Sequence, residues 1–381
     1  MDLNWSPEHM IFRAKVRGVL EAHLPADWAD LTNGFDVGCD YSVAFARKFA
    51  PILANHGLLI PHWPKEYGGQ GLDAWHHWIL NEEMWGAGEP RSYQYMSVNW
   101  AGPAIISFGS AQHKSEHLSR IAAGSLFYCQ GFSEPNAGSD LASLVTRATR
   151  TASGYVVNGQ KIWTSAASFA DYCFLLARTG GAGASGISVF LVPMHTPGIE
   201  VKVIRSLQGA RALHEVFFND VEIPASSRIG EENQGWGIVS HVLANERIGS
   251  PRYTLSLRGL ERAVEVLKQR GRFKDSMVRA RAARAWAACE ASRLMCYQII
   301  QGRVRGLPKS PLTNIARYQM AHADRQVAEF LGDFLQEELL ANEDKVLAAT
   351  YRRAGSTGIA AGAAEIQLNQ ISRGELHLPR E

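Results

Sequence analysis

The residues best suited to chemistry lie between Tyr128 and Thr179. Phe132-Ser133-Glu134-Pro135-Asn136-Ala137-Gly138-Ser139-Asp140 packs turn formers and small polar residues into a shaped loop. Tyr128, Cys129 and Gln130 precede it, and Lys161-Ile162-Trp163-Thr164-Ser165 follows downstream. Backbone donors, small residues and neighbouring aromatics suit a planar ligand with a polar edge. Asn158-Gly159, set between Tyr155–Val157 and Gln160–Trp163, predicts a tight hairpin. A second pattern, Gly181-Ala182-Gly183-Ala184-Ser185-Gly186, spells the dinucleotide fingerprint GxGxxG. That spacing holds a pyrophosphate only where a strand leads into a helix. Here Ile187–Val192 follows at once and reads as a strand, so the pattern predicts a hairpin loop.

The elements that position these residues change period twice. Residues 1 to about 124 read as helical. Ser6 and Pro7 start a helix that ends by Leu24-Pro25, and further runs cover Tyr41–Asn55, Trp75–Trp85 and Gln112–Ile121. The Trp63–Gly69 stretch between them is rich in turn residues. From about 125 to 225, short β-branched or aromatic runs predict strands at Tyr155–Val157, Lys161–Trp163, Tyr172–Ala177, Ile187–Val192, Val201–Ile204 and Val216–Ile223. Regular short strands suggest a barrel or sandwich. From about 226 the helical period returns: Leu260, Ala263, Val264 and Leu267 share one face, as do Val327, Phe330, Leu331 and Phe334. Met277–Gln301 and Ile359–Leu376 extend what reads as a bundle.

The chain has 381 residues, 46% hydrophobic and 20% charged, ordinary for a globular protein of two or three domains. No apolar run approaches the ~18 residues that a membrane span needs, and the N-terminus lacks the shape of a signal peptide. Five cysteines without CxxC spacing read as reduced thiols of a cytoplasmic protein, with no metal site. The net charge of +2 conceals a basic block. Residues 252–305 hold eleven Arg and two Lys against four acids. The block carries no recognised nucleic-acid motif, which argues against nucleic acid. Two readings remain: a solvated helix face, or a contact to the phosphates of a cofactor or coenzyme A across a subunit interface.

Phe132-Ser133-Glu134-Pro135, Ala137-Gly138-Ser139-Asp140 and Asn158-Gly159-Gln160-Lys161-Ile162-Trp163-Thr164-Ser165 closely resemble the acyl-CoA dehydrogenase flavoprotein family, and the likeness covers the whole chain. The resemblance implies an α+β acyl-CoA dehydrogenase fold: an N-terminal helical domain at 1–124, a central β-barrel-like domain at 125–225 and a C-terminal four-helix bundle at 226–381. It also implies FAD, an acyl-CoA substrate, an electron-transferring flavoprotein as acceptor, and a dimer or tetramer of like or paralogous chains. Dehydrogenating a thioester requires a base for the α-proton, a hydride acceptor for the β-carbon and donors for the thioester carbonyl. In the family the base is either a Glu before the last helix or the Glu of a Leu-x-x-Glu-Arg motif. Ala361 stands at the first position, whereas Leu243-Ala244-Asn245-Glu246-Arg247 matches the second. The resemblance therefore makes Glu246 the base and Arg247 its anchor or a substrate contact. Gln130, Phe132, Ser133, Trp163 and Ser165 match residues around the flavin ring, Glu365 a flavin or helix-face residue, and Ser139 a contact to the acyl-CoA chain. Arg270 and Phe273 match an Arg-x-x-Phe-Gly pattern whose Arg reaches a neighbouring subunit's flavin pyrophosphate.

The chain departs from the family at three places. Lys274 replaces the Gly after Phe273, no Gly-Gly-rich motif stands between Leu340 and Arg353, and Gly362-Ala363-Ala364 replaces Gly-Thr-Ser. These departures leave two alternatives beside the dehydrogenase. One is a partner subunit of a heteromeric enzyme of the steroid side-chain type. The other is an oxidase or flavin monooxygenase of the same fold.

Overall fold

The computed structural model describes residues 5–209, 213–307, 312–360, 362–374 and 376–379, and at 244–249 the backbone alone. The chain divides into two compact units. One comprises Met1–Asp36, Leu72–Pro90 and Arg247–Glu381; the other comprises Val37–Gly71 and Arg91–Glu246.

The second unit contains all eight described strands: β1 (Tyr128–Gly131), β2 (Arg147–Arg150), β3 (Gly154–Lys161), β4 (Tyr172–Arg178), β5 (Ile187–Pro193), β6 (Ile199–Ile204), β7 (Leu213–Pro224) and β8 (Arg228–Ile229). They form one sheet in the order β6-β7-β3-β2-β4-β5-β8, with β1 alongside β4 in parallel. Its core gathers Val157, Cys173, Leu175, Phe190, Val192, Val216 and Phe218. The strand β2 escapes the sequence pattern because Arg-Ala-Thr-Arg buries only Ala148.

The Asn158-Gly159 hairpin is not formed. β3 runs straight through both residues, and its register against β7 shifts between Val157 and Gly159. Across that step β7 has one residue more than β3, with Asp220 at φ +49°, so the β-bulge lies on β7 opposite Asn158. Gly159 takes φ +150°, where a Cβ would lie 2.5 Å from Thr146 Oγ1. Asn158 exchanges two 2.9 Å hydrogen bonds with Asp220 on β7, from its side-chain amide and to its side-chain oxygen. The long partner strand supplies pairing on both sides of the Asn-Gly step, so the chain has no need to reverse. The predicted strand Lys161–Trp163 likewise ends at Lys161, as the tail of β3.

The GxGxxG segment connects β4 to β5, which pair antiparallel from Tyr172↔Pro193 to Arg178↔Ile187. The Arg178 guanidinium holds this loop by donating to the carbonyls of Leu144, Ala142, Gly181 and Gly183. It is a hairpin loop, as its sequence context predicts.

Helices of the same unit flank the sheet. Asp40–Asn55 starts at Cys39, whose sulfur accepts from the Ser42 N–H. Gln94–Met96 runs into a five-residue π-helical stretch, Ser97–Ala101, and then Gly102–Phe108. Trp63, in the turn-rich loop, is buried and donates to the Val98 carbonyl at 3.0 Å.

The first unit is helical. Pro7–His23, capped by Ser6, joins Ala74–Gly86, Tyr253–Gln269, Ser276–Val304, Leu312–Phe334, Lys345–Thr357 and Ala364–Gly374. Leu260, Ala263, Leu267, Val278, Val327, Phe330 and Leu331 form its principal core. Glu82 is buried but well matched: Arg13 donates at 2.7 Å, and the hydroxyls of Tyr253 and Tyr297 donate at 2.6 and 2.9 Å. Several arginines of the basic block find acids within this unit. Arg262 pairs with Asp344, Arg281 with Asp333 and Arg293 with Glu290.

Gly159 gives a test of the packing beside this bulge. Gly159→Ala should lower stability by about 1–3 kcal/mol, because it forces a side chain into a strained conformation and against Thr146. Gly138, whose added Cβ would meet nothing within 4 Å, is the control and should be near neutral as Ala. Matching urea midpoints for the two variants would refute the close approach of Gly159 to Thr146.

Candidate functional site

A buried ion pair fixes the two chemistry-bearing segments side by side. Lys161, at the end of β3, donates from Nζ to Glu134 Oε1 at 2.8 Å and to the Phe132 carbonyl at 3.0 Å. Glu134 also accepts the backbone N–H groups of Val145 and Thr146, at 2.6 and 2.8 Å. Both side chains are almost wholly buried. Burial alone would raise the Glu134 pKa, but Lys161 and the hydrogen bonds outweigh it and hold the carboxylate below its ordinary range. Burial pushes Lys161 down to about 8, with Glu134 opposing.

The backbone continues the pairing beyond the ion pair. Ile162 N–H donates to the Ser133 carbonyl at 2.9 Å, and Thr164 N–H to the His214 carbonyl at 3.0 Å. Between these two anchors Trp163 adopts φ +58° and is 56% exposed. A bulky residue in the left-handed region costs about 1–3 kcal/mol and persists only where its surroundings over-determine it. His214 is fully buried; its ring accompanies the Thr164 carbonyl at 3.1 Å and the Ser168 hydroxyl at 2.7 Å, clamping the turn that follows.

A narrow cleft of about 10 Å³ lies beside β1, lined among others by Met96, Trp100, Tyr128, Gln130, Phe174 and Val242. Trp100 belongs to the π-helical stretch, a distortion frequent at functional sites. Ser97, in the same stretch, accepts the Tyr128 N–H at 2.9 Å and so ties that wall to β1. The Tyr128 hydroxyl and His117 Nδ1 share a hydrogen bond of 2.7 Å. Burial drives the His117 pKa down to about 4, with His113 adding to the effect, so this imidazole is neutral at neutral pH. Burial raises the Tyr128 pKa well above its ordinary value.

Two buried polar atoms here have no protein partner: Gln130 Nε2, on a residue of the cleft wall, and Thr164 Oγ1. Unmatched buried donors call for water or a ligand group. Together with an exposed aromatic in a strained, pinned backbone, they fit a planar ligand with a polar edge.

The predicted residues fall into three groups. Gln130, Phe132, Ser133, Trp163 and Ser165 lie on the two segments joined by Lys161 and Ile162. Phe132 is buried, its ring centroid 6.1 Å from that of Phe174, while Ser133 and Ser165 are half-buried. Ser139 is exposed in the loop between β1 and β2. The third group belongs to the helical unit. Arg270, at the end of Tyr253–Gln269, is paired with Glu338 of its own chain. Phe273 packs against the bundle core, and Glu365 is exposed in the first turn of Ala364–Gly374. Ala361 lies outside the described residues, and of Glu246 and Arg247 the backbone alone is described. The sequence reading missed the roles of His117, Lys161 and His214. Their partners are 11 to 50 residues away in the chain, so only the fold reveals them.

Known proteins match the chain throughout. The acyl-CoA dehydrogenase N-terminal domain matches residues 6–125, the middle domain 129–221 and the C-terminal domain 233–376. The acyl-CoA dehydrogenase IpdE1 of Mycobacterium tuberculosis is 32% identical over 97% of this chain and 98% of its own. Among solved structures, the Tcur3481-Tcur3483 steroid ACAD gives a TM-score of 0.89 at 28% identity, covering 100% of both chains. The ChsE4-ChsE5 complex from Mycobacterium tuberculosis gives 0.86 at 28%, also over 100% of both chains. Among the described residues no helix is long and apolar enough to cross a membrane.

The wall behind the cleft predicts a specific acid response. A histidine whose folded pKa is depressed takes up its proton more readily when unfolded, so stability should fall as pH drops from about 6.5 toward 4. The loss should reach about 2–3 kcal/mol. Glu134, with a lowered pKa, contributes stability above the ordinary Glu range and adds a further loss below it. His117→Gln keeps a hydrogen-bonding partner for Tyr128 and should erase only the upper limb. Urea midpoints between pH 4 and 7 that coincide in slope for wild type and variant would refute this assignment.

Proposed function

The chain belongs to the acyl-CoA dehydrogenase family, FAD-dependent oxidoreductases acting on CH–CH bonds, and on that premise we propose that it carries out α,β-dehydrogenation of an acyl-CoA thioester to the 2-enoyl-CoA. The observation that carries this reading is the exposed Trp163, held at φ +58° beside a segment whose Gln130 amide is buried without a partner. In the proposed site Gln130, Ser133 and Ser165 hydrogen-bond the polar edge of FAD, Trp163 flanks its ring and Phe132 packs beneath the approach to it. Bound FAD supplies the two-electron oxidant that accepts hydride from the β-carbon. The chain's own part is to orient the thioester, keep water out and move one proton.

Glu246 is the proposed base for the α-proton. It follows Val242 by four positions on the Gly235–Gly249 helix, and Val242 lines the cleft. Apolar surroundings raise a carboxylate's pKa and suit it to take a proton from carbon. Ser139 and Arg247 are proposed to contact the substrate, Glu365 the flavin, and an electron-transferring flavoprotein to accept the electrons. The proposed domains are 1–124, 125–225 and 226–381.

The substrate class follows the two similar structures, one named a steroid ACAD and the other a complex of two proteins. We propose a bulky, steroid-type acyl group and an assembly with a paralogous chain. Within that assembly Arg270 and Phe273 are assigned to the pyrophosphate end of a neighbour's FAD. A second reading, a partner subunit with an incomplete flavin site, is favoured by the pairing of Arg270 with Glu338 in its own chain.

Two measurements test these assignments. Glu246→Gln should retain FAD yet slow substrate-driven flavin bleaching by about two to four orders of magnitude, since an amide cannot take the proton. Near-normal bleaching removes Glu246 from the role. For the assembly, Arg270→Ala should shed FAD on gel filtration while Glu338→Gln keeps it. Equal flavin content in the two variants would place Arg270 in a purely intramolecular ion pair.

A further inference from the structure

Four side chains meet where two helices of the helical unit begin. Glu8 and His9 lie in the first turn of Pro7–His23; Asp73 caps Ala74–Gly86, and His76 lies in its first turn. Asp73 Oδ1 accepts the His76 N–H at 3.0 Å and lies 2.7 Å from His76 Nδ1. The other ring nitrogen, Nε2, stands 3.6 Å from Glu8 Oε1, and His9 Nε2 stands 3.8 Å from Asp73 Oδ2. The two imidazoles meet edge to face, with centroids 4.8 Å apart. Ligand atoms of His9, Asp73 and His76 all lie within 4.8 Å of one another.

We propose that His9 Nε2, His76 Nδ1 and an Asp73 carboxylate oxygen form a binding site for one divalent transition-metal ion of the zinc class, which ties the two helices together, with Glu8 facing the other ring nitrogen of His76. The separations of 3.6 and 3.8 Å are too long for hydrogen bonds. The 3.8 Å between His9 Nε2 and Asp73 Oδ2 is close to the roughly 3.4 Å between neighbouring donors around a tetrahedral ion with bonds of about 2.0–2.2 Å. Small side-chain rotations would bring the donors to that spacing. Asp73 already faces His76 Nδ1 at 2.7 Å, and Glu8 stands at the opposite nitrogen, where a carboxylate commonly fixes the tautomer of a metal-binding histidine. Two imidazoles with a carboxylate select zinc, nickel or copper over magnesium and calcium, which prefer all-oxygen sites. His76 is buried and Glu8 exposed, so the ion would sit at the rim with its inner ligand rigidly held.

The test uses the full-length chain in its native assembly, freed of metal with EDTA and titrated with zinc chloride by calorimetry. A Cys39→Ser background removes the one cysteine that is not buried. The expected result is one equivalent of zinc per chain and a higher melting temperature. Binding should weaken at least tenfold in Glu8→Gln and vanish in His9→Gln. Cobalt substitution should give the visible absorption of a four-coordinate site. Because Glu8 is exposed, its variant tests the site even if His9→Gln misfolds. Failure of the parent to take up one equivalent, or unchanged zinc affinity in both variants, would overturn the proposal.

Discussion

The pairing of Lys161 with Glu134 is the constraint from which the site follows. An isolated charge at either position would carry several kcal/mol of desolvation cost, and removing one partner from such a pair typically costs about 3–5 kcal/mol. Each charge here is offset several times over. Glu134 accepts from Lys161, Val145 and Thr146, and Lys161 donates also to the Phe132 carbonyl. The end of β1, the approach to β2 and the end of β3 are thereby fixed around one buried point. With those ends fixed, Ile162 pairs with Ser133 and Thr164 with His214, and Trp163 has little choice but a left-handed backbone. The strain at Trp163 is thus sustained by a polar network that does not itself touch the cleft.

Much of this was legible in the sequence, for physical reasons that differ by element. The helix starting at Ser6-Pro7 could be read because its cap and first-turn proline are local signals, and the strands Tyr172–Arg178 and Ile187–Pro193 because their apolar runs are continuous. The GxGxxG loop was resolved by what followed it. Asn158-Gly159 misled because a permissive glycine serves a hairpin or a strand passing a bulge on its neighbour; which one forms depends on β7, some sixty residues on. The motif residues around Trp163 were found through family resemblance, whereas their support by Lys161 and His214 rests on contacts that no local pattern encodes. His9 and His76, far apart in the chain, show the same limit.

The helical unit handles polar burial differently. Glu82 is enclosed by Arg13, Tyr253 and Tyr297, so one carboxylate joins an N-terminal helix to two helices of the bundle. Two phenols and a guanidinium satisfy both oxygens, which allows the charge to be buried among aromatics without an unpaired acceptor. The basic block works on the same principle nearer the surface, where Arg262, Arg281 and Arg293 each take a carboxylate from their own unit. Its excess of arginine over acid within 252–305 is therefore partly offset by acids from outside that segment.

Arg270 differs from these arginines in what its partner can hold. Its guanidinium is 44% exposed, while the Glu338 side chain is only 11% exposed, so the pair is partly buried. A pyrophosphate offers two phosphates to a guanidinium that donates paired, charge-assisted hydrogen bonds, roughly twice as strong as neutral ones. Exchange for a phosphate has to offset a largely buried Glu338 carboxylate left without its arginine. The pairing with Glu338 in the single chain thus sets what a different partner in the assembly must outweigh. Glu338 keeps the arginine extended from the end of its helix and is the group it would have to leave. Phe273, packed into the bundle core three residues later, anchors the turn from which that exchange would be made.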